Sequence, residues 1–180
     1  MDKDLKTLEG RNMDNKMEDK FLKEKDLIEK MLKGTYFVEF TFHTGFELKF
    51  VRNQHTDFCG KSLPTQVKIS ILNDWWFGIK KEWDNKVEEL TKGMSLIEPD
   101  EPVLSYELTC LRWTEDSYVE KVDFCSDSIG ILFKCGKSIF ISYYNEMDYS
   151  WVISGCDTNN LSDAWTIICE DAELFVSTPK

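Results

Sequence analysis

The sequence predicts an α+β fold in one domain. It comprises an antiparallel or mixed β-sheet, a covering helix near residues 74–92 and a helix close to the N-terminus. Three observations carry this. From Tyr118 to Ile153 three strand-like runs follow one another: Ile129, Ile131, Phe133 and Cys135; then Ile139, Ile141 and Tyr143; then Trp151 and Ile153. Successive side chains on a strand point to opposite faces, so such alternation buries one face and wets the other. Second, Tyr36, Val38, Phe40 and Phe42 are followed by the turn residues 43–45 and then by Phe46, Leu48 and Phe50. Two alternating runs across a short Gly-bearing turn predict a hairpin. Third, Trp76, Ile79, Trp83, Val87 and Leu90 recur every three or four residues, the period of a helix face.

In chain order, residues 1–16 are polar and aperiodic, and disorder is expected there. Residues 17–33 form a charged helix with Phe21, Leu22, Ile28, Met31 and Leu32 on one broad side, and Gly34 is a plausible stop. This helix either packs on the domain over 34–180 or stands off as an arm. The hairpin over 35–50 is followed by a loop over 54–64. Val67, Ile69 and Ile71 then make a third strand. Asn73 or Asp74 can cap the covering helix, although Gly78 favours a start nearer Lys80. Residues 98–102 are a polar loop with two prolines. Val103–Trp113 is expected as a long strand, since Leu104, Tyr106, Leu108 and Cys110 alternate, with a bulge near Leu111. Ala164–Cys169 and Leu174–Val176 are short closing strands. The sheet is either single or split into two layers.

The formal charge of −11 is unevenly placed: residues 1–33 sum to zero, so residues 34–180 carry all of it. That surface repels nucleic-acid phosphates and anionic membranes. It attracts a basic protein and speeds the encounter, although acidity also serves solubility alone. The six cysteines contain no C-x-x-C pair, which removes zinc-ribbon and thioredoxin-like readings. Cys110, Cys125, Cys135 and Cys169 lie in strand-like runs and are expected to be small buried hydrophobes. The charged N-terminus has no apolar signal core, and no apolar run reaches the ~18 residues of a membrane span. A cytoplasmic protein with reduced thiols is expected.

Motifs for chemistry are few. His43, His55, Asp57 and Cys59 are of metal-ligating or nucleophilic type, but H-x-D-x-C is not a ligand spacing, and surface loop residues explain them as well. Asp123 and Asp127 lack the Gly and terminal Glu of a calcium loop. No phosphate-cradling loop, G-x-S-x-G or selected carboxylate pair appears, so no catalytic residue, metal or cofactor is assigned. An acidic, aromatic constellation remains. Between Glu98 and Asp127 stand nine acidic and two basic residues, and Trp113, Tyr118, Tyr143, Tyr144, Tyr149 and Trp151 lie in or beside that region. Aromatic anchors inside an acidic rim suit a basic protein partner. Core filling competes with that role, most of all for Trp113 and Trp151.

The segment from Asp127 to Val152, a strand–Gly-turn–strand pattern followed by an acidic residue and Trp, together with the acidic run before it, resembles immunity proteins of polymorphic-toxin and contact-dependent inhibition systems of bacteria. The likeness covers about a quarter of the chain. It implies a non-enzymatic inhibitor that binds a cognate, basic toxin such as a nuclease, with acidic groups standing in for substrate phosphates. The expected partner-binding residues are Asp116, Tyr118, Glu120, Asp123, Tyr144, Glu146, Asp148 and Tyr149. A protein-interaction module with another cytosolic partner is the alternative, and an enzyme with an unrecognised site is a third.

Overall fold

The computed structural model describes residues 22–145, 149–157 and 164–179. The disorder expected at 1–16 therefore concerns residues outside those described, as do the readings of Phe21, Glu146 and Asp148. The class is α+β, with every strand pairing antiparallel. The strands are β1 (Tyr36–Phe42), β2 (Phe46–Val51), β3 (Asp57–Phe58), β4 (Lys61–Ser62), β5 (Gln66–Ile71), β6 (Trp75–Phe77), β7 (Val119–Phe124), β8 (Ser128–Phe133), β9 (Ser138–Ser142), β10 (Trp151–Gly155), β11 (Thr166–Glu170) and β12 (Glu173–Ser177). The helices are α1 over residues 22–32, α2 (Lys80–Thr91) and α3 (Asp100–Thr114).

The sheet divides. A six-stranded sheet runs β1-β2-β5-β10-β11-β12, a four-stranded sheet runs β6-β9-β8-β7, and β3-β4 is a small hairpin. Register explains the division of apolar residues. Phe46, Ile71, Trp151, Cys169 and Leu174 stand in one cross-strand row of the larger sheet. Trp75, Ile141, Ile129 and Phe124 form a row of the smaller one. Rows of this kind are the unit of sheet stabilisation. Both sheets and α1 feed one hydrophobic core. The three runs of 129–153 are strands, but β10 leaves the meander and joins the other sheet.

α1 packs rather than standing off: Ile28, Met31 and Leu32 are fully buried, whereas Leu22 is exposed. Gly34 ends it at φ +81°, a left-handed position that glycine adopts without Cβ strain. Thr35 Oγ1 donates to the Leu32 carbonyl at 2.6 Å, and the Arg52 guanidinium donates to the carbonyls of Lys30 and Met31. The helix C-terminus thus finds partners for the carbonyls its own ladder leaves open.

Four expectations are corrected. The register of β1 shifts between Phe37 and Glu39, so the fully buried residue is Phe37, not the set at Tyr36, Val38, Phe40 and Phe42. The covering helix occupies Lys80–Thr91 only; Trp75–Phe77 pairs with β9 instead, and Ile79 and Leu90 are exposed. Cys125 is exposed, Cys110 and Cys135 are half-buried, and of the four cysteines expected inside only Cys169 is buried. The largest correction is Val103–Trp113, which is helical.

Candidate protein-binding surface

α3 begins where the chain carries Pro99, Asp100, Glu101 and Pro102. Proline in a first turn costs little, since the N–H it lacks has no helical partner there. Asp100 and Glu101 face the positive end of the helix dipole. Its buried residues are Val103, Leu104, Glu107, Leu108 and Leu111, a one-sided stripe at helical spacing. The period-two reading failed because Leu104 and Leu108 fit both periods, and because a carboxylate, Glu107, occupies the stripe. Glu107 is 7 % exposed, and its oxygens receive Lys86 from α2 and Lys137, at 3.1 Å, from the β8–β9 turn. Burial alone pushes the Glu107 carboxyl up, but the two lysines outweigh it and hold the carboxyl below its usual range.

The opposite face of α3 meets solvent. Tyr106 is 63 % exposed and Trp113 is 74 % exposed. Seven residues is two turns, so both lie on one stripe, with half-buried Cys110 between them. Arg112 fixes the C-terminal end: its Nε donates to the Val38 carbonyl at 2.6 Å, and its guanidinium lies 4.7 Å from the Trp113 ring centroid. Glu115 and Asp116 follow at the negative end of the helix dipole, where anions are disfavoured. Glu115 is relieved by Lys137 at 3.7 Å. Asp116 makes no ion pair among the described residues, and its carboxylate accepts the Tyr118 backbone N–H at 3.2 Å.

The expected partner-binding residues fall into two groups. Asp116 and Tyr118 lie beside Trp113 at the start of β7. Tyr118 is half-buried, and the Lys134 ammonium sits 4.4 Å from its ring centroid. Glu120 is exposed where the β7 register shifts. Asp123 lies towards the far end of β7, roughly 20 Å along the strand from Asp116 at the usual rise per residue. It is bonded to Lys121, which removes much of its charge from view. Tyr144 belongs to that far end as well, because Tyr143 N donates to the Asp127 carbonyl at the β7–β8 turn. Tyr144 is exposed and Tyr149 half-buried. Trp151 is fully buried and belongs to the core, whereas Trp113 does not. Tyr106 was missed as an outward anchor because the strand reading turned it inwards. Acidic residues and a proline ahead of an apolar stripe were the helix-start signal that could have found it.

The histidine loop folds into the β3–β4 hairpin, with Cys59 and Gly60 at positive φ in its turn. His55 Nε2 lies 3.1 Å from Asp57, and Ser62 Oγ lies 3.2 Å from Nδ1 and 3.3 Å from Nε2. A hydroxyl equidistant from both ring nitrogens is in line with neither lone pair. A Ser–His–Asp relay instead needs the hydroxyl on one nitrogen and the carboxylate on the other. Cys59 is carried on the turn and makes no hydrogen bond to His55. Among the described residues no three His, Cys, Asp or Glu side chains converge as a metal site.

No protein-family model, curated protein or solved structure matches this chain. The fold and its surface define the class: an antiparallel α+β protein that presents an aromatic helix face between acidic ends.

Proposed function

We propose that this chain is a protein-binding inhibitor of the immunity type, which captures a basic protein, such as a nuclease toxin, without turnover. The observation that carries the reading is the outer stripe of α3. Exposed Tyr106 and Trp113 are placed two turns apart, with Asp100 and Glu101 at one end and Asp116 at the other. Large rigid aromatics inside a charged rim are the side chains that dominate protein–protein affinity. An Asp116 carboxylate held at the negative end of a helix dipole gains from a partner cation more than an isolated surface carboxylate would. The −11 charge steers a basic partner over distances of about a Debye length.

In this reading the docking surface centres on α3 and extends through Tyr118 and Glu120. Asp123, Tyr144 and Tyr149 form at most a second contact area at the far end of β7. Among the described residues no helix is long and apolar enough to cross a membrane, and a cytoplasmic site of action accords with six free thiols.

The test is a calorimetric titration with the basic protein encoded beside this chain, in rising salt. Affinity falls with ionic strength. Trp113→Ala weakens binding by about 2 kcal/mol, roughly thirtyfold, as expected of an aromatic hot spot. An affinity flat in salt and unmoved by Trp113→Ala would remove the reading.

A further inference from the structure

α2 runs past the core that it covers. Trp83 and Val87 are buried, but Leu90, the next position on the same stripe, is exposed. Met94, Leu96 and Ile97 follow in the connection to α3. All three are exposed, Ile97 to 95 %. Four of the eight residues from Leu90 to Ile97 are thus large, apolar and open to solvent. The Met94 N–H donates to the Thr91 carbonyl at 2.9 Å, which fastens the connection to the last turn of α2. An open groove of about 680 Å³ lies alongside, between Asp84, Glu88 and Glu89 of α2 and the start of α3 at Pro99 and Asp100. Single exposed apolar residues are ordinary, whereas a set gathered beside a groove marks an interaction surface.

The surroundings are acidic. Residues 88–101 hold five acidic residues, Glu88, Glu89, Glu98, Asp100 and Glu101, against one base, Lys92. Glu88 and Glu89 lie towards the C-terminal, negative end of the α2 dipole, and the last turn carries no base. Among the described residues neither forms an ion pair, nor does Glu98. A cation brought by a partner is therefore favoured here. A second copy of this chain is not, because a two-fold contact would set these carboxylates against their equals.

The surface consists of a helix end and a loop. It offers no strand edge to extend and no exposed aromatic to grip a polyproline segment. Among the common recognition modes, that leaves an amphipathic helix laid along the groove. We propose that the α2–α3 connection is a docking surface for a basic amphipathic helix of a protein partner. The apolar stripe of that helix covers Leu90, Met94, Leu96 and Ile97, and its lysines or arginines meet Glu88, Glu89 and Glu98. The surface is separate from Tyr106 and Trp113, and stands whether or not the outer stripe of α3 binds a toxin.

The experiment uses the full chain and three synthetic peptides. One is made of leucine and lysine with its leucines at helical spacing. The second is an isomer of the same composition with the spacing scrambled, and the third is the leucine–glutamate analogue of the first. Binding is read by fluorescence anisotropy, and the contact is mapped by the methyl resonances of Leu90, Met94, Leu96 and Ile97. The patterned basic peptide is expected to bind about tenfold more tightly than its isomer, to weaken with salt and to move those resonances. The acidic analogue does not bind. Met94→Ser/Ile97→Ser lowers the affinity about tenfold, towards that of the isomer. Glu88→Lys/Glu98→Lys lowers it too and flattens the salt dependence. All four positions are exposed, so both variants should melt as the wild type does. Equal binding of the two basic isomers would mean that charge alone acts, and would overturn the proposal. So would binding that Trp113→Ala abolishes and Met94→Ser/Ile97→Ser leaves intact, since the peptide would then sit on the outer face of α3. A dimer of this chain that Met94→Ser/Ile97→Ser dissolves would also overturn it, because a second copy would then cover the surface.

Discussion

Glu107 is the buried charge that joins three elements, and removing it is the sharpest test of how α3 is held. Glu107→Gln keeps the shape and deletes the charge that Lys86 and Lys137 share. The Glu107 side chain is 9 % exposed, while the lysines are 42 % and 29 % exposed and can rehydrate. The loss is therefore below the 3–5 kcal/mol of a fully buried broken pair and near the 1.5–3 kcal/mol of a hydrogen bond to a charged group, about 2 kcal/mol. For a chain of this size that lowers Tm by about 4–8 °C. The pH dependence has a definite sign. The folded carboxyl lies below its unfolded value of about 4.5, so its contribution is complete above that pH and is lost as pH falls through the folded value. Thermal melts of both proteins from pH 7 to pH 3 should show a gap that is full at neutrality and shrinks below about pH 4.5. A gap absent at pH 7, or unchanged at pH 3, would refute the account of Glu107.

Further expectations follow from packing and backbone. A Cβ on Gly130 would stand 2.6 Å from the Phe140 ring, which is stacked on Trp76 and has little room to retreat, so Gly130→Ala should cost about 1–3 kcal/mol in urea titrations. Gly34→Ala places a side chain at φ +81° and should cost about 1 kcal/mol, with amide exchange rising first in the last turn of α1. Burial pushes the Cys169 thiol up to about 12, so a thiol reagent at pH 8 should modify Cys59 and Cys125 rapidly and reach Cys169 only on unfolding. Trp113→Ala should shift stability by less than about 1 kcal/mol, since only an exposed contact with Arg112 is lost.

Strand alternation was legible wherever one face is buried and the other wet. β2, β5 and β9 follow it residue by residue, because burial on one face fixes register, whereas β8 is buried on both faces. The split into two sheets was not legible, since it depends on which strands pair at long range: β10 follows the meander in sequence yet pairs with β5 and β11. Trp75–Phe77 merged with the helix after it because its aromatics fit either period. α3 was misread for a related reason. A helix that packs Leu104 and Leu108 on the core while exposing Tyr106 and Trp113 has apolar residues on both faces, so its moment is weak and a two-residue period passes for it. The acidic character of the candidate surface was legible, but its centre was not. Sequence could not tell that Lys121 answers Asp123, or that Lys86 and Lys137 answer Glu107. The ambiguity that hid α3 comes from the exposed aromatics that the proposed function now assigns to the partner.

The most direct measurement is a parallel capture of partner from the native host on two tagged baits, the wild-type chain and the Trp113→Ala/Asp116→Lys variant, each washed at low and then high salt. The account predicts one basic protein on the wild-type bait, released by salt, encoded beside this chain and lost from the variant. The same protein held equally by both baits, or a partner indifferent to salt, would contradict the assignment of the α3 face as the docking surface.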